Sequence, residues 1–178
     1  MSRERHAAQD ISYAHSAESK RVQIVIKLLE NATGRLTLIK RARGYQDEVA
    51  QGRDFWQVMV ERYGLSLDVV GGSIDHIPKT GPVILIANHP YGILDGIMLG
   101  HILSSVRGDF RILAHKVFQK SDELNRSILP VSFDDTKQAM RDNINTRRQA
   151  LDFLADGGAI GIFPGGTVST ARTLFAKP

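Results

Sequence analysis

The sequence predicts an α/β fold: a largely parallel, mixed sheet flanked by helices and preceded by an N-terminal helical hairpin. Short apolar runs alternate with segments of helical period through residues 83–163, which is typical of strand–helix–strand units. The run Val83–Ala87 is apolar without alternation, as in a strand covered on both faces of a parallel sheet. At 178 residues without a cysteine, the chain has the length of about one domain and contains neither a disulfide nor a thiolate nucleophile.

The N-terminal part of the sequence is basic and helical in pattern. Residues 1–47 contain nine basic and five acidic side chains, a difference equal to the net charge of +4 of the whole chain. Lys20–Glu30 and Leu36–Arg43 have helical spacing. Because cations beside an apolar face favour anionic lipid, we expect a membrane-surface segment at residues 1–47 and an α/β domain at residues 48–178. The alternative is a helix pair packed on that domain with its charges in water.

The composition of the sequence also bears on cellular location and on nucleic-acid binding. No apolar run approaches the ~18–20 residues of a membrane span, and the polar N-terminus does not resemble a secretory signal. We therefore expect a cytoplasmic protein, peripheral at the inner face of the membrane. The basic segment lacks the aromatic interleaving of a nucleic-acid-binding module, so no nucleic-acid partner is expected.

The next stretch predicts one helix and one strand. Glu48–Tyr63 has a helical period that Gly64 ends, with an apolar face formed by Val49, Trp56, Met59, Val60 and Tyr63. Leu65–Val70 alternates between apolar and polar residues, as a half-buried strand does.

The centre of the sequence predicts a strand, a tight turn and the start of a helix. Val83–Ala87 is followed by turn-forming residues 88–92, and apolar residues then recur at helical spacing. This places His89 just past the carboxyl end of a strand and Asp95 in the first turn of the next helix. Ligands bind at that edge of open α/β sheets, where an imidazole and a carboxylate can act as a base and its orienting partner. The alternative is an ordinary turn before an acidic helix start.

Three more strands are predicted downstream, at Phe110–Ala114, Ile128–Phe133 and Ala159–Phe163. A helix capped by Asp135 is predicted over Thr136–Ala155. Its apolar residues are expected to face inward and its arginines outward: Met140, Ile144, Leu151 and Leu154 against Arg141, Arg147 and Arg148. Because parallel strands end at one edge, we expect His89, Lys116 and the Gly165–Gly166 turn to line one cleft.

General base catalysis is the chemistry expected at this edge. A neutral histidine removes a proton near neutral pH because its reference pKa is about 6.5, and Asp95 would fix its tautomer. The sequence contains no Gly-x-Ser-x-Gly motif, so His89 would activate a substrate hydroxyl directly. The glycines at 165 and 166 free backbone amides to approach an oxyanion or a phosphate.

Two sequence motifs carry a resemblance. In the first, Asn88-His89 is followed after five residues by Asp95-Gly96; the second is Phe-Pro-Gly-Gly-Thr-Val-Ser at residues 163–169. They resemble the Asn-His-x4-Asp and Phe-Pro-Glu-Gly-Thr-Arg-Ser motifs of the lysophospholipid/glycerolipid acyltransferase family. The variant His-Pro-x-Gly-x-Leu-Asp-Gly most resembles that family's hemolysin-like bacterial branch.

The resemblance implies a glycerolipid acyltransferase-like fold. It also implies transfer of an acyl group from acyl-CoA or an acyl carrier protein to a hydroxyl of a lysolipid or related polar acceptor. His89 would match the catalytic base and Asp95 its orienting acid. The acceptor-binding residues would be Lys116 and the block Phe163, Pro164, Gly165, Gly166 and Thr167. No metal and no cofactor is expected beyond the acyl donor as co-substrate.

The sequence departs from the family pattern at three places. Five residues rather than four separate His89 from Asp95, and Gly165 and Val168 stand where the family has glutamate and arginine. Because those charged residues help to recognise a phosphate-bearing acceptor, the resemblance is weakest for acceptors of the glycerol-phosphate type. Family members continue with a further motif block, so we expect a sequence shortened at its C-terminus, after Pro178.

Two other functions stay open at this point. A metal-dependent hydrolase would use nitrogen and oxygen ligands from His89, Asp95, His115, Asp134 and Asp135, although these positions lack a tight ligand spacing. The second alternative is a protein of the same fold that binds lipid or membrane and no longer catalyses acyl transfer.

Overall fold

The computed structural model describes residues 35–119 and 121–165. The chain divides into two compact units, Met1–Gly64 and Leu65–Pro178. The predicted helix Lys20–Glu30, one arm of the expected hairpin, lies outside the described residues. In the part of the chain that is described, no helix is both long enough and apolar enough to cross a membrane. The functional division at residue 47 stays a prediction.

The described part of the first unit consists of three helices: α1 (Arg35–Ala42), α2 (Tyr45–Ala50) and α3 (Phe55–Tyr63). Helix α1 confirms the second arm of the predicted hairpin. The single helix predicted over Glu48–Tyr63 is wrong, because the chain turns at Gly52 with a φ of 89°. A new helix then starts at Asp54, whose carboxylate accepts a hydrogen bond from the Gln57 N–H at 2.9 Å.

The apolar side of α3 forms the core of this unit. Its buried residues are Phe55, Trp56, Val58, Met59, Val60 and Tyr63, which include most of the predicted face. Phe55 lies edge-to-face against both Tyr45 and Trp56. The Arg62 guanidinium donates hydrogen bonds to the backbone carbonyls of Arg41, Arg43 and Gly44, so α3 also holds the connection between α1 and α2.

The second unit is built on a four-stranded sheet whose neighbouring strands are all parallel. The strands are β1 (Val83–Ile86), β2 (Phe110–His115), β3 (Ile128–Val131) and β4 (Ala159–Ile162), in the spatial order β1-β4-β2-β3. They are connected by α4 (Ile93–Val106), α5 (Asp122–Ser127) and α6 (Lys137–Ala155). The predicted α/β fold class is confirmed.

Helices cover the two faces of the sheet to different extents. On one face, Gly161 lies so close to α4 that an added Cβ would be 2.9 Å from the Leu99 side chain. On the other face, Leu129 and Ile160 pack with Ala150 of α6. The prediction that Val83–Ala87 is covered on both faces is wrong, since α6 packs against β3 and β4 and leaves Ile84 and Ile86 of the edge strand β1 at least half exposed.

The segment Leu65–Val70 does not form the predicted strand. Its alternation is present, but a strand also needs a hydrogen-bonding neighbour, and none of the described strands pairs with it. Leu67, Val69 and Val70 are exposed.

One buried arginine aligns the starts of two neighbouring strands. Arg107, at the end of α4, donates hydrogen bonds to the carbonyls of Pro78 and Gly81 before β1 and of Gly157 before β4. These bonds satisfy the buried guanidinium. They also fix β1 against β4, the two strands whose carboxyl ends carry the sequence motifs.

Helix α6 meets the sheet through small and polar residues along most of its length, and through Phe153 and the predicted Leu154 only near its C-terminal end. Asn143 both accepts from the Ser132 N–H at 2.9 Å and donates to the Ser132 carbonyl at 2.8 Å, and Thr146 donates to the Pro130 carbonyl at 2.7 Å. These side chains satisfy the free edge of β3. The predicted inward set is therefore wrong at Met140, Ile144 and Leu151, which are exposed.

The start of α6 also differs from the prediction. The residue that caps it is Thr136, whose hydroxyl accepts a hydrogen bond from the Ala139 N–H at 3.1 Å. Asp135 stands one residue earlier and does not take the capping position.

Candidate functional site

His89 and Asp95 meet at the carboxyl end of β1. His89 Nδ1 lies 3.3 Å from Asp95 Oδ2, and the two side chains are only 20% and 15% exposed. Among the described residues, this buried nitrogen has no partner with hydrogen-bond geometry, so its contact with Asp95 is one of ion-pair distance. The approach depends on Gly92, which starts α4 with a φ of 63°, a conformation that favours glycine. Through this turn, the five intervening residues bring Asp95 back to His89.

The backbone fixes the orientation of the Asp95 carboxylate. The Tyr91 N–H donates a hydrogen bond to Oδ2 at 2.7 Å, a charge-assisted bond in a partly buried site. With a carboxylate facing Nδ1, the neutral imidazole carries its proton on that nitrogen and its lone pair on Nε2. Within the described residues Nε2 has no hydrogen-bond partner, so it is available to a ligand.

Phe163 supports the other side of the imidazole. The two rings stack with centroids 4.2 Å apart and an interplanar angle of 23°. The Ala87 N–H donates to the Ile162 carbonyl at 3.1 Å, which extends the pairing of β1 with β4 beyond the strands. His89 and Phe163, from the two sequence motifs, therefore leave the sheet side by side.

A second polar cluster lies at the ends of β2 and β3. Lys116 Nζ is 2.5 Å from Asp134 Oδ2, and the Ser132 hydroxyl donates to the same oxygen at 2.9 Å. The hydrogen bonds from Lys116 and Ser132 hold the pKa of Asp134 below its usual value. Both charged side chains are about half exposed.

His115 belongs to this second cluster. Its Nδ1 accepts a hydrogen bond from the Val117 N–H at 3.2 Å, so the proton of the neutral ring is on Nε2. The ring stacks on Phe133, with centroids 5.5 Å apart. Burial lowers the pKa of His115, the Lys116 charge lowers it further, and the Asp134 charge opposes both.

The predicted site residues therefore fall into two groups. His89, Asp95 and Phe163 are in contact, whereas Lys116 is paired with Asp134, and no contact joins it to His89 in the described part of the chain. Pro164 and Gly165 are exposed after the partly buried Phe163. Gly166 and Thr167 lie outside the described residues.

The ligand set of the alternative hydrolase is not assembled in this structure. In residues 35–119 and 121–165, no three histidine, aspartate or glutamate side chains lie close enough together to hold a metal ion. His115 and Asp134 belong to the second cluster, apart from the His89–Asp95 pair.

Two contributors to these clusters were missed in the sequence. The Tyr91 amide holds Asp95, and the only signal was an aspartate placed in the first turn of the helix that follows Gly92. Ser132 holds Asp134 through a Ser-x-Asp pattern of a kind common in turns. Neither signal distinguishes a site from an ordinary loop.

Comparison with known proteins identifies a family over the part of the chain that contains the first cluster. A family model described as Acyltransferase matches residues 70–178. No curated protein and no solved structure matches the chain. The matched range includes both motifs and all the described residues that contact His89.

Proposed function

The chain belongs to the acyltransferase family, and on that premise we propose that it transfers a fatty acyl group from acyl-CoA or acyl carrier protein to a hydroxyl of a lysolipid or related polar acceptor. The observation that carries the proposal is the His89–Asp95 pair, held at 3.3 Å at the sheet edge where ligands bind. In this reading His89 is the general base and Asp95 its orienting acid.

The proposed reaction uses the lone pair on His89 Nε2. The acceptor hydroxyl gives its proton to Nε2 while its oxygen attacks the thioester carbonyl, forming the C–O bond. Asp95 stabilises the resulting imidazolium. The C–S bond then breaks, the thiolate leaves and takes the proton from His89, and the products are an ester and a free thiol. Base catalysis of this kind is worth about 10²–10⁴-fold in rate.

The acceptor site is proposed to follow Phe163. Gly165 is exposed and follows the ring that stacks on His89 by two residues. The amides of Gly165 and of its neighbour Gly166 in the motif are proposed to stabilise the oxyanion. We include Pro164 and Thr167 in this block because of their motif positions. Lys116 is proposed to contact the polar part of the acceptor. The acceptor must then carry a group that competes with Asp134 for the Lys116 ammonium.

A lysolipid acceptor resides in a membrane, so we propose that the protein works in the cytoplasm at the inner face of the membrane. The cations of residues 1–47 support this proposal, because anionic lipid attracts each basic side chain near its surface by about 1 kcal/mol. No metal and no resident cofactor takes part in the proposed reaction.

The direct test is thiol release from a panel of acyl-CoAs, with and without lysolipid acceptors. His89→Ala is compared with the wild type and with His76→Ala, which removes an exposed histidine outside both clusters. Because the chain has no cysteine, the protein itself contributes no thiol signal. We expect acceptor-dependent release that His89→Ala reduces at least a hundredfold and that His76→Ala leaves unchanged.

Each other outcome would contradict a defined part of the proposal. Full activity in His89→Ala would exclude this histidine as the base. Release that does not depend on an acceptor would indicate thioester hydrolysis. If no acyl-CoA reacts, the assay is repeated with acyl carrier protein; inactivity with both donors, together with vesicle binding, would favour a lipid-binding protein without turnover.

A further inference from the structure

The outward face of α6 carries a line of large apolar side chains. Met140, Ile144 and Leu151 are 67%, 63% and 55% exposed. Their spacing of four and then seven residues places them in one row along the helix. The row, here called the α6 stripe, extends for about 16 Å at 1.5 Å per residue. Single exposed apolar residues are ordinary, but an aligned row on one helix is typical of an interaction surface.

The α6 stripe is flanked by cations on both sides. At 3.6 residues per turn, Arg147 lies on one side of the stripe, and the exposed residues Lys137, Arg141 and Arg148 lie on the other. None of the four forms an ion pair within the residues that the structure describes. These charges are therefore available to a partner.

The acidic residues of α6 do not cancel this pattern. Asp142 projects from the side of the helix opposite the stripe and accepts a hydrogen bond from Gln138. Asp152 lies beyond Arg148 and Arg141, farther from the stripe. At the N-terminal end, Asp134 is neutralised by Lys116, and Asp135 and Asp134 share an open cleft with Met140 and Ile144.

The sheet does not need the apolar residues of the stripe. The face of α6 that meets the sheet uses Asn143, Thr146 and Ala150, which hydrogen-bond or pack closely against β3 and its neighbours. The three large aliphatic side chains of the stripe lie to one side of that face, and they lose contact with water only if something else covers them.

We propose that the α6 stripe and its flanking arginines dock on an anionic lipid bilayer, with α6 lying parallel to the membrane plane. A straight apolar row with cations along both borders matches a flat surface of acyl chains and anionic headgroups. An acidic carrier protein would match the cations, whereas an anionic lipid surface matches both the cations and the apolar row between them. The proposal identifies the part of the protein that contacts the membrane containing the lysolipid acceptor. It rests on the proposed function only for the choice of a lipid surface as the partner.

The experiment is sedimentation of the full chain with phosphatidylglycerol-containing vesicles and with pure phosphatidylcholine vesicles. The first variant combines Met140→Gln, Ile144→Gln and Leu151→Gln, and the second combines Arg141→Gln, Arg147→Gln and Arg148→Gln. Glutamine favours helix, and all six positions are exposed, so α6 is retained. Matched controls are Leu67→Gln with Val69→Gln and Val70→Gln for apolar exposure, and Lys79→Gln with Arg126→Gln for charge.

We expect the wild type to bind anionic vesicles, and the apolar variant to bind at least tenfold more weakly. Each arginine removed should weaken binding by about fivefold. Added salt should also weaken binding, because it screens the attraction between the cations and the anionic lipid. The controls should bind like the wild type. Thiol release with a short-chain, water-soluble acceptor is measured in parallel, so that loss of docking and loss of acyl transfer are separable.

A second measurement detects insertion of the stripe directly and does not require removal of its apolar or basic side chains. Because the chain has no cysteine, Ile144→Cys and Val70→Cys each accept a single environment-sensitive fluorophore. A blue shift on adding anionic vesicles at position 144, and not at position 70, supports insertion of the stripe. Equal shifts at both positions, unaltered binding by the apolar variant, or no binding by the wild type would overturn the proposal. So would a dimer in solution that the apolar variant dissociates, because a second copy would then cover the stripe.

Discussion

The imidazole of His89 stacks on the phenyl ring of Phe163, with centroids 4.2 Å apart, and this contact joins two sequence motifs that lie far apart in the chain. Asp95 lies against Nδ1 of the imidazole at 3.3 Å, and Phe163 covers one face of the ring. The imidazole is thus contacted at one edge and on one face, which leaves Nε2 and the opposite face open to a ligand.

Phe163 is therefore expected to act as a positioning residue. Phe163→Ala should lower kcat for thiol release at least tenfold, because the imidazole gains rotational freedom, while Phe163→Tyr should retain most of the activity. The matched control is Phe133→Ala, which removes a second histidine–phenylalanine stack, against His115, outside the His89 cluster. An effect on KM alone would instead make Phe163 a substrate contact.

Asp95→Asn tests the carboxylate without removing its shape. Asparagine keeps an oxygen that accepts the Tyr91 N–H, but it loses the charge that stabilises the imidazolium. We expect kcat to fall by about 10²–10⁴-fold with little change in melting temperature. Asp68→Asn, at an exposed position, serves as the control. An unchanged kcat would show that His89 works without an orienting acid.

The contact between His89 and Asp95 could be predicted from the sequence because the two residues are close together along the chain. His89 and Asp95 are separated by one turn, so strand, turn and helix signals were sufficient to place them together. The contact with Phe163 requires β1 to lie beside β4, with two other strands between them in sequence. No local pattern contains that adjacency; only the family resemblance connected the two motifs.

The pairing of Lys116 was equally hidden from local reasoning. Position 116 at the end of a strand was correctly expected at the sheet edge. Asp134 follows the adjacent strand β3, and it was weighed in the sequence only as a metal ligand. The alignment of β2 with β3, which pairs His115 with Val131, brings this acid to the lysine.

The Lys116–Asp134 pair should tune the pKa of His115 in two opposite directions. Lys116→Met removes a charge that lowers the pKa of His115, so that pKa should rise, and the pKa of Asp134 should rise as well. Asp134→Asn removes a charge that raises the pKa of His115, so that pKa should fall further. The measurement is the pH dependence of the histidine Cε1–H resonances, with His76 as an internal reference.

The same shift predicts how stability depends on pH. The folded pKa of His115 lies below its unfolded value of about 6.5, so the fold favours the neutral ring. This contribution is fully present above pH 6.5 and is lost as the pH falls through the interval between the unfolded and the folded pKa. In that interval the melting temperature should depend less on pH in His115→Gln than in the wild type. An unchanged pH dependence would contradict the assignment of this effect to His115.

Helix α6 shows where periodicity alone misleads, and it supplies the last prediction. The apolar spacing of Met140, Ile144 and Leu151 is a good helix signal, but it does not identify the side that faces the sheet. The side was decided by β3, an edge strand whose free N–H and C=O groups are satisfied by polar side chains of α6. Asn143 was consequently ignored in the sequence, although it makes two of these bonds.

Asn143→Leu would be tolerated if the apolar face were the inner one, but here it should destabilise the second unit. It leaves the Ser132 N–H and C=O without their partners, and we expect a loss of about 2–4 kcal/mol in the free energy of unfolding. Asn145→Leu makes the same substitution at an exposed position on α6 and should change stability by less than about 0.5 kcal/mol. Urea denaturation of both variants measures the difference. Equal stabilities would mean that the edge of β3 finds other hydrogen-bond partners when Asn143 is replaced.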